Sequence, residues 1–346
     1  MSPASAAGLI RAFFGGVWMI GPRRAVPGGD CALKTIPIFA SLLLAAAPVL
    51  QAQTAPPIHV NVRLVNVFVN VMDAHGAPVP GLTQKDFALS EDGHPQKITY
   101  FERQTNVPLS IVMAIDTSGS TRKDIPQERA AAREFVRALL RPADRLGLMD
   151  FNSDVREVVP FTSNVRLIDA GLRHLDFGPA TALYSAVYLA SQRLQPRHGR
   201  KVLVLISDGG NTKNDVDYAT ALDAARRGQV MVYSIIDVPI EADAGRDTEG
   251  EHAMIALSEE TGGQYYYANS GDLREAFRKV SENLRTQYLL GYYPERSRRG
   301  DEFRKISVKL THAPASNGPY TVQNRAGYYP DAANSQQPAD DDSQEP

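Results

Sequence analysis

The sequence predicts an α/β protein: a doubly wound, mainly parallel sheet with helices on both faces, plus a small β-sandwich built from the N- and C-terminal flanking strands. Three observations carry that prediction. Between residues 108 and 287, apolar runs of strand length alternate with helical patterns, the order expected of parallel strands joined by crossover helices. One run, Val202-Leu203-Val204-Leu205-Ile206, contains no polar residue, as in a strand covered on both faces. On either side of this region the pattern changes to short period-two segments broken by turn residues, the mark of antiparallel strands.

The chain has 346 residues, enough for two or three domains and for a core that needs no disulfide. It is 43% apolar and 22% charged, ordinary values for a globular protein, and a net charge of −2 leaves no electrostatic footprint for nucleic acid. The local basic cluster Arg296, Arg298, Arg299, Arg304 and Lys305 surrounds a turn and reads as a solvated hairpin loop rather than a phosphate site.

Residues 1–52 read as a leader. Lys34 precedes the Ala/Leu-rich stretch Ile36–Leu50, and Ala52 is a small residue suited to cleavage, the pattern of a secretory signal peptide. The stretch is short for a transmembrane helix, so no stable membrane span is expected in the mature chain. Its position is unusual, with 33 residues before Lys34. A start codon assigned too far upstream is the preferred explanation, ahead of a long n-region or an uncleaved anchor involving Phe13–Ile20. Cleavage would remove Cys31, the only cysteine, and with it any thiol chemistry. The expected location is periplasmic or secreted.

Residues 58–104 are expected to form about three antiparallel strands. His59–Met72 alternates in two phases, and the phase change at Leu64-Val65 predicts a bulge or a switch between sheets. Phe87–Ser90 and Gln96–Glu102 follow, split by the turn Glu91-Asp92-Gly93-His94. So small a unit needs a partner sheet.

Across 108–287 the predicted strands are Ser110–Asp116, Arg145–Phe151, Val202–Ser207, Val230–Ile236 and Gln264–Ala268. Asp124 can cap a helix that carries Pro126 in its first turn and runs to Leu140. Leu183, Val187, Ala190 and Leu194 fall on one helix face. Further helices are predicted over Val216–Arg227, His252–Glu260 and Asp272–Gln287. Tyr288–Tyr293, Phe303–Leu310 and Tyr320–Tyr329 supply the remaining strands, in residues 288–330. Residues 331–346 hold five acids and neither Lys nor Arg, and read as a disordered acidic tail.

The chemistry begins at Asp116-Thr117-Ser118-Gly119-Ser120, where a buried strand ends in one carboxylate and two hydroxyls at every second residue. These are hard oxygen ligands of the kind Mg²⁺ or Mn²⁺ prefers. In an open parallel sheet, ligands bind outside the carboxyl ends of the strands where connections reverse. Asp208 ends another strand, and Thr181 opens a helix from a loop able to reach the same edge. Each alone has an ordinary explanation as a cap, a turn or a loop hydroxyl; together they bring two carboxylates and three hydroxyls to one place. Gly209 and Gly210 read as turn residues, because no phosphate-loop motif is present.

These residues carry a resemblance. The string D-x-S-x-S at Asp116, Ser118 and Ser120, the Thr at Thr181, and Ser207-Asp208-Gly209 resemble a von Willebrand factor A-type domain with a metal-ion-dependent adhesion site, over residues 108–287. The flanking strings Gly81-Leu82-Thr83-Gln84-Lys85-Asp86-Phe87, Glu91-Asp92-Gly93 and Gln287-Tyr288-Leu289-Leu290-Gly291-Tyr292-Tyr293 resemble the exported family related to it, described mainly from Acidobacteria. The resemblance implies that Ser118, Ser120 and Thr181 contact the cation directly or through water, and that Asp116 and Asp208 hold it mainly through waters. It also implies an open coordination position for a carboxylate of a protein partner.

Enzyme classes fare poorly. A haloacid-dehalogenase-type nucleophile needs a second Asp where Ser118 stands, G-x-S-x-G is absent, and none of the seven histidines forms an H-E-x-x-H pair. The expected role is an exported, cation-dependent protein-binding module. The alternative is an interaction scaffold whose metal is structural and whose partner docks through the β-sandwich; a Mg²⁺-dependent hydrolase is a distant third. The acidic loop Val238–Glu251 should leave the sheet at the same edge and is expected to be solvated. A last helix running straight into Tyr288 further suggests coupling between the metal site and the β unit.

Overall fold

The computed structural model describes residues 64–103, 106–119, 125–237, 248–268, 273–295, 302–311 and 319–330. The predicted leader, the first phase of the opening strand, Ser120, the Asp124 cap, residues 238–247 of the acidic loop, Arg296, Arg298, Arg299 and the tail all lie outside these residues.

Strands β1 (Val65–Met72), β2 (Phe87–Glu91), β3 (His94–Gln96) and β4 (Ile98–Arg103) come first. Then follow β5 (Leu109–Asp116), α1 (Ile125–Leu139), β6 (Arg145–Phe151), β7 (Val155–Thr162), α2 (Val165–Leu172) and α3 (Leu183–Leu194). The chain continues through β8 (Arg200–Ser207), α4 (Tyr218–Gly228), β9 (Val230–Ile236), α5 (Thr248–Thr261), β10 (Tyr265–Tyr267) and α6 (Leu273–Thr286). It closes with β11 (Tyr288–Tyr292), β12 (Arg304–Leu310), β13 (Thr321–Asn324) and β14 (Gly327–Tyr328).

Six strands form the central sheet in the order β10-β9-β8-β5-β6-β7. All neighbours are parallel except β7, which runs antiparallel to β6. Every residue of β5, β8 and β9 is buried, which is why these strands read as unbroken apolar runs. One face is covered by α1, α2 and α6 through Phe135, Ile168 and Phe277, and the other by α3, α4 and α5 through Val187, Leu222 and Leu257. The sheet is therefore wound on both faces, as predicted.

Strand β7 is an addition to the predicted set. It lies at the sheet edge, mostly half-buried, and carries Pro160. An edge strand tolerates a proline and need not alternate cleanly, so its sequence lacks a strand signal.

The flanking strands form two four-stranded antiparallel sheets, β13-β1-β11-β4 and β14-β12-β2-β3. They share one core, including Val67, Val69 and Leu290 from the first sheet and Leu89, Ile306 and Val308 from the second. The pairing Val67↔Leu290 joins segments from opposite sides of the central sheet, so the chain leaves this β-sandwich and returns to it. Four strands, not three, precede β5. The predicted strand Gln96–Glu102 is split at Lys97: β3 pairs with β2, whereas β4 pairs with β11 in the other sheet. Strand β1 lies in one sheet from Val65 onward and buries Val65, Val67, Val69 and Val71. The bulge or sheet switch expected at Leu64-Val65 turns on residues before Leu64, which lie outside the described residues.

Two charged residues expected in turns are buried in this sandwich. Glu91 ends β2, and the hairpin turn is made by Asp92 and Gly93 alone, both at positive φ (49° and 79°). Arg304, assigned by its sequence neighbourhood to a solvated loop, opens β12 and pairs with Glu91 at 2.9 Å. Tyr292 and Tyr328 donate their hydroxyls to the same carboxylate, at 2.6 and 3.0 Å. The paired charges are tolerated inside because each Glu91 oxygen has a donor.

The sandwich meets the central sheet at the amino ends of the parallel strands. Arg200 donates to the Leu284 carbonyl (2.5 Å) and to Gln287 Oε1 (3.0 Å), tying the first residue of β8 to the α6–β11 junction. Arg325, between β13 and β14, donates to Gln229 Oε1 (2.9 Å) and the Asn66 carbonyl (2.8 Å). The opposite, carboxyl edge of the sheet is left to the candidate site.

Candidate metal centre

From β5 the chain crosses to β6 on one side, and β8 later enters on the other. The carboxyl ends of β5 and β8 therefore flank the point where the winding reverses, where an open α/β sheet leaves a crevice. Asp116 is the last residue of β5 and Asp208 follows the last residue of β8.

Asp116 is only 1% exposed and its orientation is set by two neighbours. The Ser207 hydroxyl donates to Oδ2 at 2.6 Å, and the Ser118 amide donates to Oδ1 at 2.9 Å. Ser207 Oγ in turn accepts from the Gly209 amide at 3.1 Å, which links Asp116 to the loop bearing Asp208. Burial lifts the Asp116 carboxyl to about 6, against the pull of the Ser207 and Ser118 donors, and the nearby Asp208 charge pushes it further up. Two mutually repelling carboxylates, one of them buried, are stabilised in their charged form by a cation.

The three loops predicted to meet are joined by backbone hydrogen bonds. Thr117 donates its amide (2.8 Å) and its hydroxyl (3.2 Å) to the Phe151 carbonyl at the end of β6. Its own carbonyl accepts from Gly178 at 3.2 Å, which brings in the loop before α3. Thr181, in that loop and 5% exposed, donates its amide to Thr212 Oγ1 (2.8 Å); its carbonyl accepts from Thr212 (2.9 Å) and Lys213 (3.2 Å). Asp116, Ser118, Thr181 and Asp208 thus sit on loops that are tied together at one edge of the sheet.

The Asp208 loop is clamped from below. Gly209 has φ +95°, and a Cβ there would lie 2.8 Å from the Glu251 amide nitrogen. Conversely, a Cβ on Gly250 would lie 1.5 Å from the Gly209 carbonyl oxygen. Helix α5 begins at Thr248, earlier than predicted, and so takes Glu249 and Glu251 out of the acidic loop. Glu251 is 3% exposed and accepts from the Tyr267 hydroxyl at 3.2 Å, so it is not a solvated loop residue. Ser207, Thr212 and Gly250 position the site, and none of them was among the residues the sequence pointed to as ligands. Ser207 stood inside the Ser-Asp-Gly string, and only its hydrogen bond shows its role.

The donor set suits a hard cation. Carboxylates and hydroxyls are the only side-chain ligands offered by Asp116, Ser118, Thr181 and Asp208, and no thiol or imidazole is among them. Among the described residues there is no cluster of three or more His, Cys, Asp or Glu able to hold a metal. Such a cluster is not required where hydroxyls and waters complete the shell, as with Mg²⁺.

Residues 111–211 match the family model of the von Willebrand factor type A domain. A curated relative, a UPF0353 protein of Mycolicibacterium paratuberculosis, is 29% identical over 216 residues, covering 54% of this chain and 62% of the relative. The chain thus spans less than two thirds of that relative's length. Solved structures of similar fold include BatB from Bacteroides thetaiotaomicron, 20% identical, covering 50% of this chain and 98% of that one at a TM-score of 0.41. The von Willebrand factor domain of the type V pili tip protein Mfa5 from Porphyromonas gingivalis is 14% identical, covering 51% and 95% at 0.42. Proximal thread matrix protein 1 from the mussel byssus, with a zinc-occupied MIDAS motif, is 15% identical, covering 54% and 47% at 0.44. The segment 111–211, with its parallel strands and flanking helices, has the von Willebrand factor type A fold.

Proposed function

We propose that this von Willebrand factor type A fold serves as an exported, divalent-cation-dependent protein-binding module. Asp116, Ser118, Ser120, Thr181 and Asp208 would hold Mg²⁺ or Mn²⁺, and an acidic side chain of the partner would complete the coordination. The observation that carries the reading is the buried Asp116 carboxylate at the switch point, oriented by Ser207 and Ser118 with Asp208 beside it. All five candidate ligands lie inside the segment matched by the family model. Domains of this type commonly mediate protein–protein interaction, and some bind metal. The bound cation would supply an electrophilic position for a partner carboxylate; the chain's own residues orient Asp116 and hold the Asp208 loop against α5.

We read the site as binding rather than catalytic, because Asp116, Ser118, Thr181 and Asp208 are carboxylates and hydroxyls of the kind a hard cation takes as ligands. Export rests on the signal-peptide pattern of the leader. Among the described residues, no helix is long and apolar enough to cross a membrane.

The test is a pull-down from periplasmic and culture fractions with Mg²⁺ or with EDTA, comparing the wild type with Asp116→Ala. A partner retained only by the wild type with Mg²⁺ supports the reading. A partner retained equally in EDTA and by the variant would transfer binding to the β-sandwich.

A further inference from the structure

The sandwich and the central sheet leave a cleft of about 220 Å³ between them, at the amino ends of the strands and away from Asp116 and Asp208. Its walls include Phe68 of β1, Arg200 of β8, Arg226 and Gln229 at the end of α4, Glu260 of α5, and Arg325 in the β13–β14 turn.

The charge in this cleft is one-sided. Arg226 pairs with Glu260 at 2.6 Å. Among the described residues, Arg200 and Arg325 form no ion pair, although the Asp144 charge acts on Arg200 from farther away. Arg200 donates to the Val107 and Leu284 carbonyls and to Gln287, and Arg325 to Gln229 and the Asn66 carbonyl, all neutral acceptors. Two guanidinium donors are also left over: Nε of Arg226 and Nε of Arg325 are buried without an acceptor. Buried cations are normally paired, so the surplus positive charge of Arg200, Lys201, Arg226 and Arg325 over Glu260 around this cleft calls for an anion. The two orphan N–H groups, each almost without exposed surface, would reach it only after their side chains shift.

The two donors come from different lobes, Arg226 from α4 and Arg325 from the sandwich. Their planes are already held, because Arg226 lies 4.6 Å over the Phe303 ring and Arg325 lies 5.4 Å from the centre of the Tyr328 ring. A guanidinium fork in fixed orientation matches an oxyanion. A tetrahedral dianion presents oxygens toward both lobes at once, whereas a planar carboxylate presents two in one plane.

We propose that this cleft binds a small phosphate-type oxyanion, inorganic phosphate or the phosphate of a monoester, between Arg226 and Arg325. The anion would cross-link the lobes at a site separate from the metal centre.

The test uses the full chain in EDTA, so that phosphate on a site metal cannot be mistaken for the cleft. Calorimetric titration with inorganic phosphate and with glycerol phosphate should give saturable binding of one anion per chain. Chloride at matched ionic strength should give none, and succinate should bind more weakly. The tighter of the two phosphate ligands identifies a free or an esterified source. Arg325→Gln should lose affinity by about tenfold or more, and so should Arg226→Lys, which keeps the charge opposite Glu260 but removes the fork. If Arg325→Gln fails to fold, Arg226→Lys decides. Asp208→Ala should bind phosphate as the wild type does. Absence of saturable binding, equal binding of succinate, reproduction by chloride, unchanged affinity in Arg226→Lys, or loss in Asp208→Ala would each overturn the proposal.

Discussion

Gly209 and Gly250 are in backbone contact: a methyl group on Gly250 would lie 1.5 Å from the Gly209 carbonyl oxygen. The first turn of α5 therefore forms the floor beneath the Asp208 loop. In an ordinary helix interior Gly→Ala adds about 1 kcal/mol of stability. Here Gly250→Ala should instead destabilise by about 1–3 kcal/mol, as overpacking does. By displacing the loop, it should also weaken Mg²⁺ binding roughly 10–100-fold, the range seen when the support of a ligand is lost. Urea unfolding and a Mg²⁺ titration check the two parts. A more stable variant with unchanged affinity would show that the contact does not matter.

Metal binding to the folded chain alone must raise its stability. With Mg²⁺ at about a hundred times its dissociation constant, the wild type should gain about 2.7 kcal/mol, read as a rise in unfolding temperature. Asp116→Ala should show no such rise. An equal rise in both would move the cation elsewhere.

Glu91 and Arg304 form a buried pair with two tyrosine donors on the same carboxylate. Removing one partner leaves an uncompensated charge inside. Arg304→Met should therefore cost about 3–5 kcal/mol in urea unfolding. The cost should fall in the double variant Arg304→Met with Glu91→Gln, because no lone carboxylate then remains. A single-variant loss below about 1 kcal/mol would mean that the pair contributes no more than a surface one.

Lys201 opens a test by pH. Its side chain donates to the Gln195 carbonyl at 2.6 Å, and burial lowers its ammonium from 10.5 to about 8. Between about 8 and 10.5 the folded chain therefore binds fewer protons at this residue than the unfolded chain does. Stability contributed by the residue must rise with pH through that window, by up to about 3 kcal/mol. Measured against Lys201→Met, which cannot titrate, the wild type should lag most below pH 8 and close the gap as pH rises to 10.5. A gap that stays constant with pH would remove the burial argument.

Much of this was legible in the chain. Apolar runs within β5, β8 and β9 announced strands covered on both faces, because such burial favours apolar residues at most positions. Asp116 and Asp208 announced themselves by following those runs. Strand β7 did not, because a half-buried edge strand carrying a proline has no period to read. Glu91 and Arg304 misled for the opposite reason: charged residues beside turn residues read as solvated, and nothing local records that each has the other as a partner.

By itself the sequence determined the α/β class, the order of most strands along the chain and the loops that bear the candidate oxygen ligands. These are properties of spacing, and spacing is local. Only the tertiary structure decided that Ser207 orients Asp116, that Gly250 supports the Asp208 loop, and that Arg226 and Arg325 face one cleft from two lobes. Each of those joins residues far apart in the chain, and only the packing of strands and helices sets the distance between them.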